Sequence, residues 1–451
     1  MKIKNIYKYL FAALLALQLS SCDNNTDAEQ KFDQTPTERL NAQKSELNEA
    51  LLSSPEGWKA VYFTDNTILG GYTHLFKFAA DGTVIMASDF SKDLKTQVST
   101  KSEYAVQLGS TVSLTFTTKN WIHLLSDSYD YPVDALLAEG YRGDFQFLYY
   151  GQENGEIIFR TNRNNRELRF VKATAKDWTD LPKNFDMIPN VIGSDARPLF
   201  RLLETNDGTT KHQFDFSFSE VTRYAEANSI EAGYSVNYNM GIGYTPTGIV
   251  VSPAVEVGGQ KLTNFTYNDA DGSFTATGTG GVTAVIKYTD KPLSLTNDYK
   301  ALLTGQPYAL FGFYTDDYTV DAPTNSKLFQ AEIDKINAAL PAGQSVASVQ
   351  LYFNHSLGTF IYYTFNGRAA LQHYVTVEED AVGKKIILKH KSWNGNTTVA
   401  TPAFLASFDK YFMDTNGIYV KRESFRLVYT NVVYTFTSSS SPFRMTTWKI
   451  N

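Results

Sequence analysis

The sequence predicts a mainly β protein built from antiparallel barrel or sandwich modules, each led by one helix, with signs that this module is duplicated. Three observations predict it. Phe, Tyr and Trp make up 14% of the chain, and aromatic and β-branched residues favour strands. Short runs of alternating apolar and polar residues recur between Asp-Gly, Asn-Gly and Gly-Ser turns, the pattern of antiparallel hairpins. No regular alternation of strand with long helix runs through the chain, which argues against a parallel α/β fold. The length of 451 residues suggests two or three domains at about 150 residues each. The formal charge is −6, from 41 Lys and Arg against 47 Asp and Glu, so nothing points to a nucleic-acid partner.

Residues 1–21 form a signal peptide. Lys2, Lys4 and Lys8 precede an apolar run over residues 10–19, interrupted only by Gln18. That run is too short to span a bilayer, which takes about 20 residues. It ends at Leu19-Ser20-Ser21-Cys22, which resembles the lipobox of bacterial lipoproteins, and Cys22 is the only cysteine. Cys22 is therefore the expected lipidation site. Its modification would leave no thiol, excluding disulfides, cysteine metal sites and cysteine nucleophiles. Acyl chains would hold the protein at a membrane. Residues 22–34 are polar and read as a lipidated tether.

Residues 35–175 read as a helix-plus-β module. Thr35-Pro36-Thr37-Glu38 is a capping box with proline at the first helical position. Leu40, Leu47 and Leu51 share one helix face, and Pro55 and Gly57 stop it. Phe76 and Phe78 lead into Asp81-Gly82, followed by Val84 and Met86, a hairpin for which Asp-Gly suggests a type I′ turn. Alternating pairs of strands follow around Gly109-Ser110 and Asn154-Gly155, ending at Leu168 and Phe170. Residues 201–290 are all β, either a domain of their own or strands completing the first module. Residues 176–200 and 289–324 carry three prolines each and read as linkers.

Residues 325–451 read as a second helix-plus-β module, with Phe329, Ile333, Ile336 and Leu340 as the helix stripe. Landmarks repeat in order: Pro55 and Gly57 with Pro341 and Gly343, Tyr62-Phe63 with Tyr352-Phe353, Asp81-Gly82 with Asn366-Gly367, Trp121 with Trp393, and Gly143 with Gly417. Shared order across several landmarks points to duplication.

The lipobox, the capped helix, Gly57-Trp58, Phe76-Lys77-Phe78 with Asp81-Gly82-Thr83, and Gly143-Asp144-Phe145-Gln146-Phe147 together resemble a family of Bacteroidota lipoproteins. Those proteins carry a domain of unknown function over nearly their full length. The resemblance implies an outer-membrane lipoprotein, anchored by lipid and facing the cell exterior. It also implies the company of nutrient-uptake systems built from a TonB-dependent importer and a substrate-capturing lipoprotein. It implies no catalytic residue.

The residues themselves carry no catalytic signature. Six histidines are present, none in a His-Glu-x-x-His pattern, so no metal is expected. There is no nucleophile elbow, P-loop or dinucleotide fingerprint, so no cofactor is expected. Asn268-Asp269-Ala270-Asp271-Gly272 reads as a hairpin turn, lacking the later glutamate of a calcium loop. Exposed tyrosines can stack on sugar rings or extended peptides. Tyr129 and Tyr131, beside Asp127 and Asp130, are the first candidates for ligand contact. Tyr314 and Tyr318 flank Asp316-Asp317 in similar fashion. The expected function is capture of a glycan or peptide without catalysis. A glycosidase with dispersed carboxylates is the alternative.

Overall fold

A computed structural model describes residues 34–91, 99–193, 197–322, 324–425, 427 and 431–450. Residues 1–21, read as a signal peptide, Cys22 and residues 23–33 of the expected tether lie outside the described residues. The fold is mainly β, as the sequence predicts, and consists of three closed barrels of eight antiparallel strands each.

The first barrel is β1 (Trp58–Phe63), β2 (Gly71–Phe78), β3 (Thr83–Ser88), β4 (Ser99–Leu108), β5 (Val112–Phe116), β6 (Gln146–Glu153), β7 (Glu156–Thr161) and β8 (Glu167–Lys172). The second is β9 (Phe200–Asp207), β10 (Lys211–Ser219), β11 (Tyr224–Ser229), β12 (Asn237–Thr245), β13 (Gly248–Val257), β14 (Gln260–Asn268), β15 (Ser273–Thr277) and β16 (Val282–Thr289). The third is β17 (Ala309–Tyr314), β18 (Ser345–His355), β19 (Gly358–Asn366), β20 (Arg368–Asp380), β21 (Lys385–Trp393), β22 (Ile418–Arg422), β23 (Val433–Ser438) and β24 (Arg444–Ile450). Each strand pairs with the next, and the first with the last: Trp58 faces Lys172, Phe200 faces Thr289 and Leu310 faces Ile450. Closure pairs the first and last strands of each barrel, which would otherwise be sheet edges.

An eight-stranded barrel is just wide enough for side chains to fill, and here aromatics fill it. Phe76, Phe116, Phe147, Phe159 and Phe170 are all at most 1% exposed, with the Phe76 and Phe170 rings stacked at 4.7 Å. Most of the aromatic surplus is thus structural. Helices close the cores. In α1 (Pro36–Leu52) the Glu38 N–H donates to the Thr35 hydroxyl and the Glu38 carboxylate accepts from the Thr35 N–H, the expected capping box. Leu47 and Leu51 pack into the first core, and the Trp58 indole N–H donates to the Leu51 carbonyl at 2.9 Å.

The two stretches read as linkers hold structure. Residues 176–200 contain α2 (Ala175–Asp180) and α3 (Lys183–Ile192). The second of these tolerates Pro189 internally and sends Met187 and Val191 into the second core. Residues 289–324 contain a 3-10 turn (Asp298–Leu302) and β17. The third barrel therefore begins before residue 325, and α4 (Lys327–Ala339) falls between its first two strands, whereas α1 precedes the whole first barrel. Within the third barrel α4 and α5 (Ala403–Phe412) bury Phe329, Ile333, Phe408 and Phe412. Residues 200–289 form a barrel of their own.

Turn chemistry divides as the side chains dictate. Asn154 and Gly155 both have positive φ, 52° and 81°, between paired Glu153 and Glu156, the type I′ geometry. At Asp81-Gly82 only the glycine does, with φ 85°. The Asp81 carboxylate there accepts the Thr83 N–H and hydroxyl, and the Ala79 N–H bonds the Thr83 carbonyl across a three-residue loop. That turn is a type I turn with a glycine bulge, which corrects the expected I′ assignment.

The first two barrels are clamped together by Arg223. Its guanidinium donates to the Asp89 carboxylate at 3.2 Å, the Asp89 carbonyl at 2.7 Å and the Gly71 carbonyl at 3.0 Å. It lies over the rings of Tyr72 and Tyr244, at 4.0 and 4.7 Å. Asp89 also accepts the Thr73 N–H and the Asn184 amide. The backbones approach so closely that a Cβ on Gly241 would sit 2.4 Å from the Leu69 carbonyl oxygen.

Candidate functional site

A cleft of about 930 Å³ lies between the second and third barrels. Its walls follow from strand alternation. In β10, Phe214 and Phe216 turn inward, so Asp215 and Ser217 face the cleft. Tyr224 and Glu226 of β11 extend that wall. Opposite, Lys421 of β22, Glu423 just beyond it, Thr435 and Thr437 of β23 and Arg444 of β24 form the other face. The α4 N-cap, Ser326, lies at one end, where its hydroxyl accepts the Phe329 and Arg444 backbone N–H groups. Tyr288 and residues 292–296 also line it.

Four charged side chains converge here. Lys421 and Glu423 pair at 3.1 Å, and the Glu423 carboxylate also accepts the Thr435 hydroxyl at 2.7 Å. The Arg444 Nε–H donates to the Thr324 carbonyl. Asp215 is exposed to solvent within the cleft, with the facing wall limiting its hydration. Desolvation raises its pKa, with Glu423 pushing the same way and Lys421 and Arg444 opposing. Desolvation likewise lowers the Arg444 pKa, against the pull of Glu423 and Asp215. The result is a site of mixed charge, with tyrosines in its lining and one carboxyl whose pKa is raised. It can bond donors and acceptors at once, as polyhydroxylated or amide-rich ligands require.

The residues picked from sequence lie elsewhere. Tyr129 is 94% exposed on the connection between β5 and β6, and Tyr131 is half-buried on the same segment. The Asp127 carboxylate accepts the Tyr129 N–H at 3.1 Å and pairs with Lys119 at 3.8 Å, so it shapes the turn. Asp130 is exposed, its pKa raised by desolvation and by Asp127. None of these four lines the cleft. Tyr314 ends β17 and Tyr318 is 62% exposed. Asn268 and Ser273 pair across a hairpin, as expected of that turn. Asp215, Lys421, Glu423 and Arg444 carried no signal in sequence, because the wall that holds Asp215 and the wall that holds the other three belong to different barrels. Among the described residues no cluster of three or more His, Cys, Asp or Glu could hold a metal ion, and no helix is long and apolar enough to cross a membrane.

A family described as Domain of unknown function (DUF4302) matches residues 28–269. The match takes in the first barrel and most of the second and stops short of the third, rather than running nearly to the C-terminus. No curated protein matches the chain. Two solved structures are similar over most of their length. One is a DNA polymerase sliding clamp from Bacillus subtilis, 10% identical over 92% of this chain and 97% of that one, with a TM-score of 0.13. The other is the DNA polymerase III subunit beta from Borrelia burgdorferi in complex with a natural product, 9% identical over 91% and 98%, with a TM-score of 0.15. Scores this low carry no argument about fold or function.

Proposed function

The chain belongs to the family described as Domain of unknown function (DUF4302). We propose that it is a binding lipoprotein of the outer membrane that captures a glycan or peptide between its second and third barrels. The observation that carries this reading is the cleft of about 930 Å³ with Asp215, Lys421, Glu423 and Arg444 converging on it. Pockets for small ligands fall at about 300–1,000 Å³ and favour the joints between domains. Charged groups of both signs suit the hydroxyls of a sugar or the amides and termini of a peptide, and Tyr224 in the lining suits stacking. Residues 1–22 support export and lipidation at Cys22, which would hold the cleft at the membrane. A TonB-dependent importer and a substrate-capturing lipoprotein are the partners this reading names.

A second reading, a surface glycosidase, rests on Asp215. A carboxyl with a raised pKa near a second carboxylate, Glu423, is the pairing that general acid catalysis uses.

One set of variants separates the two. Glycan arrays and peptide libraries identify a ligand for the purified protein, and calorimetry then measures its affinity. Arg444→Gln should weaken binding at least about tenfold, which is about 1.4 kcal/mol. Tyr129→Ala with Tyr131→Ala should leave affinity within about twofold and the melting temperature nearly unchanged. A large loss in the tyrosine double variant alone would move the site to the first barrel. Turnover of the ligand, abolished by Asp215→Asn, would establish the glycosidase instead.

A further inference from the structure

The third barrel holds a second constellation, apart from the cleft. His373 of β20 is fully buried, with its ring stacked on Trp393 at 4.2 Å. Its Nδ1 lies 2.7 Å from the Asp409 carboxylate on α5, and its Nε2 lies 2.7 Å from Nδ1 of His390 on β21. Asp409 is 3% exposed and also accepts the Tyr363 hydroxyl at 2.7 Å. Burial and the adjacent Asp409 hold the Tyr363 phenol far above its ordinary pKa, so it stays a donor. His390, by contrast, is exposed. The hairpin register brings the two histidines together: His373 faces Trp393, Val375 faces His390, and Lys391 is the extra residue of a bulge between them.

Proton placement follows from these partners. A carboxylate can only accept, so His373 donates from Nδ1. In neutral His373 the Nε2 then accepts, so His390 donates from its own Nδ1. That leaves the His390 Nε2 lone pair directed away from the relay. The order carboxylate, buried imidazole, exposed nucleophile is that of a serine-hydrolase triad, with an imidazole in place of the hydroxyl.

We propose that His390 is a nucleophilic histidine that takes acyl groups from activated esters, with His373 and Asp409 as its positioning residues. The His390 Nε2 lone pair attacks the ester carbonyl carbon, the carbon–oxygen bond breaks, and the alkoxide or phenolate leaves with the electron pair. The His390 Nδ1 proton passes to His373 Nε2, giving an imidazolium held by Asp409. Water then cleaves the acyl–nitrogen bond, the carboxylate departs, the relay returns its proton to His390, and both protons of the water go to solvent, where an alkoxide leaving group takes one of them.

The test uses the purified full-length protein and three readouts. Long-range proton–nitrogen NMR of the wild type should show His390 protonated on Nδ1 and bare on Nε2, and a proton on Nε2 would overturn the proposal. Diethyl pyrocarbonate should modify His390 at least about tenfold faster than His355, followed by mass spectrometry. Equal rates would also overturn it. Asp409→Asn should remove that excess while leaving the His355 rate unchanged, a selective effect that misfolding would not produce. Hydrolysis of p-nitrophenyl acetate should fall to the buffer rate in His390→Gln, and turnover that persists in this variant would assign the chemistry elsewhere. Should Asp409→Asn fail to fold, the wild-type tautomer and the His390→Gln rate decide the matter.

Discussion

His74 gives the sharpest expectation about stability. It lies in β2 with Ala60 and Ser88 as strand partners, is 0% exposed, and has no partner for either ring nitrogen among the described residues. Burial, and secondarily the charge on Arg223, push its pKa down to about 3 from an ordinary 6.5. A base with a lowered folded-state pKa is protonated more readily in the unfolded chain. Its share of stability is therefore intact above about pH 6.5 and is lost as the pH falls toward 3. One pKa unit corresponds to about 1.4 kcal/mol, so the loss reaches about 2 kcal/mol near pH 5 and between about 4 and 5 kcal/mol in full. His74→Leu removes both the titration and two unpaired buried nitrogens. It should stabilise the first barrel at neutral pH by about 1–2 kcal/mol, and the pH dependence due to this site should vanish. Urea unfolding of both proteins at about pH 7 and about pH 5 provides the measurement, because every other titrating group cancels in the double difference. If the wild type and the variant lose the same stability between these two pH values, His74 is not a buried neutral imidazole and the reasoning fails.

Two further predictions test the joint and the anchor. Arg223→Met leaves Asp89 as an uncompensated buried charge and should destabilise the pair of barrels by about 3–5 kcal/mol, seen as a lower urea midpoint and faster protease cleavage between the first two barrels. Cys22→Ser should shift the protein from the detergent phase to the aqueous phase in a partition assay and leave the signal peptide uncleaved by the lipoprotein peptidase. A variant that stays in the detergent phase would refute lipid anchoring at Cys22.

The parts of the fold that were legible in the sequence are local ones. The Thr35 capping box, the Leu47 and Leu51 stripe, the Phe329–Ile333–Ile336 stripe and the Asn154-Gly155 turn each depend on residues within about one or two turns of helix or hairpin. Prolines misled where they were read as breakers. Pro182 and Pro189 accompany α2 and α3, because proline costs little where its missing N–H is not needed and packing of Met187 and Val191 outweighs the rest. The stretch with Pro292 and Pro307 likewise conceals β17, whose six residues are too few for alternation to stand out against linker composition.

The candidate site was not legible for a different reason. Alternation told that Asp215 and Phe216 face opposite ways, but not that the aromatic side would be the inside of a closed barrel. An aromatic surplus is equally compatible with a packed core and with a binding surface until closure decides, and pairings such as Trp58 with Lys172 span the entire module. The four charges of the cleft come from two barrels, and the His373–Asp409–His390 relay comes from two strands and a helix. By itself the sequence determined the β-rich class, the two long helices and the hairpins, since short-range sterics, capping and hydrophobic period suffice for these. Tertiary structure alone decided the closure into three barrels, the burial of the aromatics, and which titratable groups meet. Those outcomes depend on register and docking between segments far apart in the chain, where the energy of each contact is shared with partners that no local pattern names.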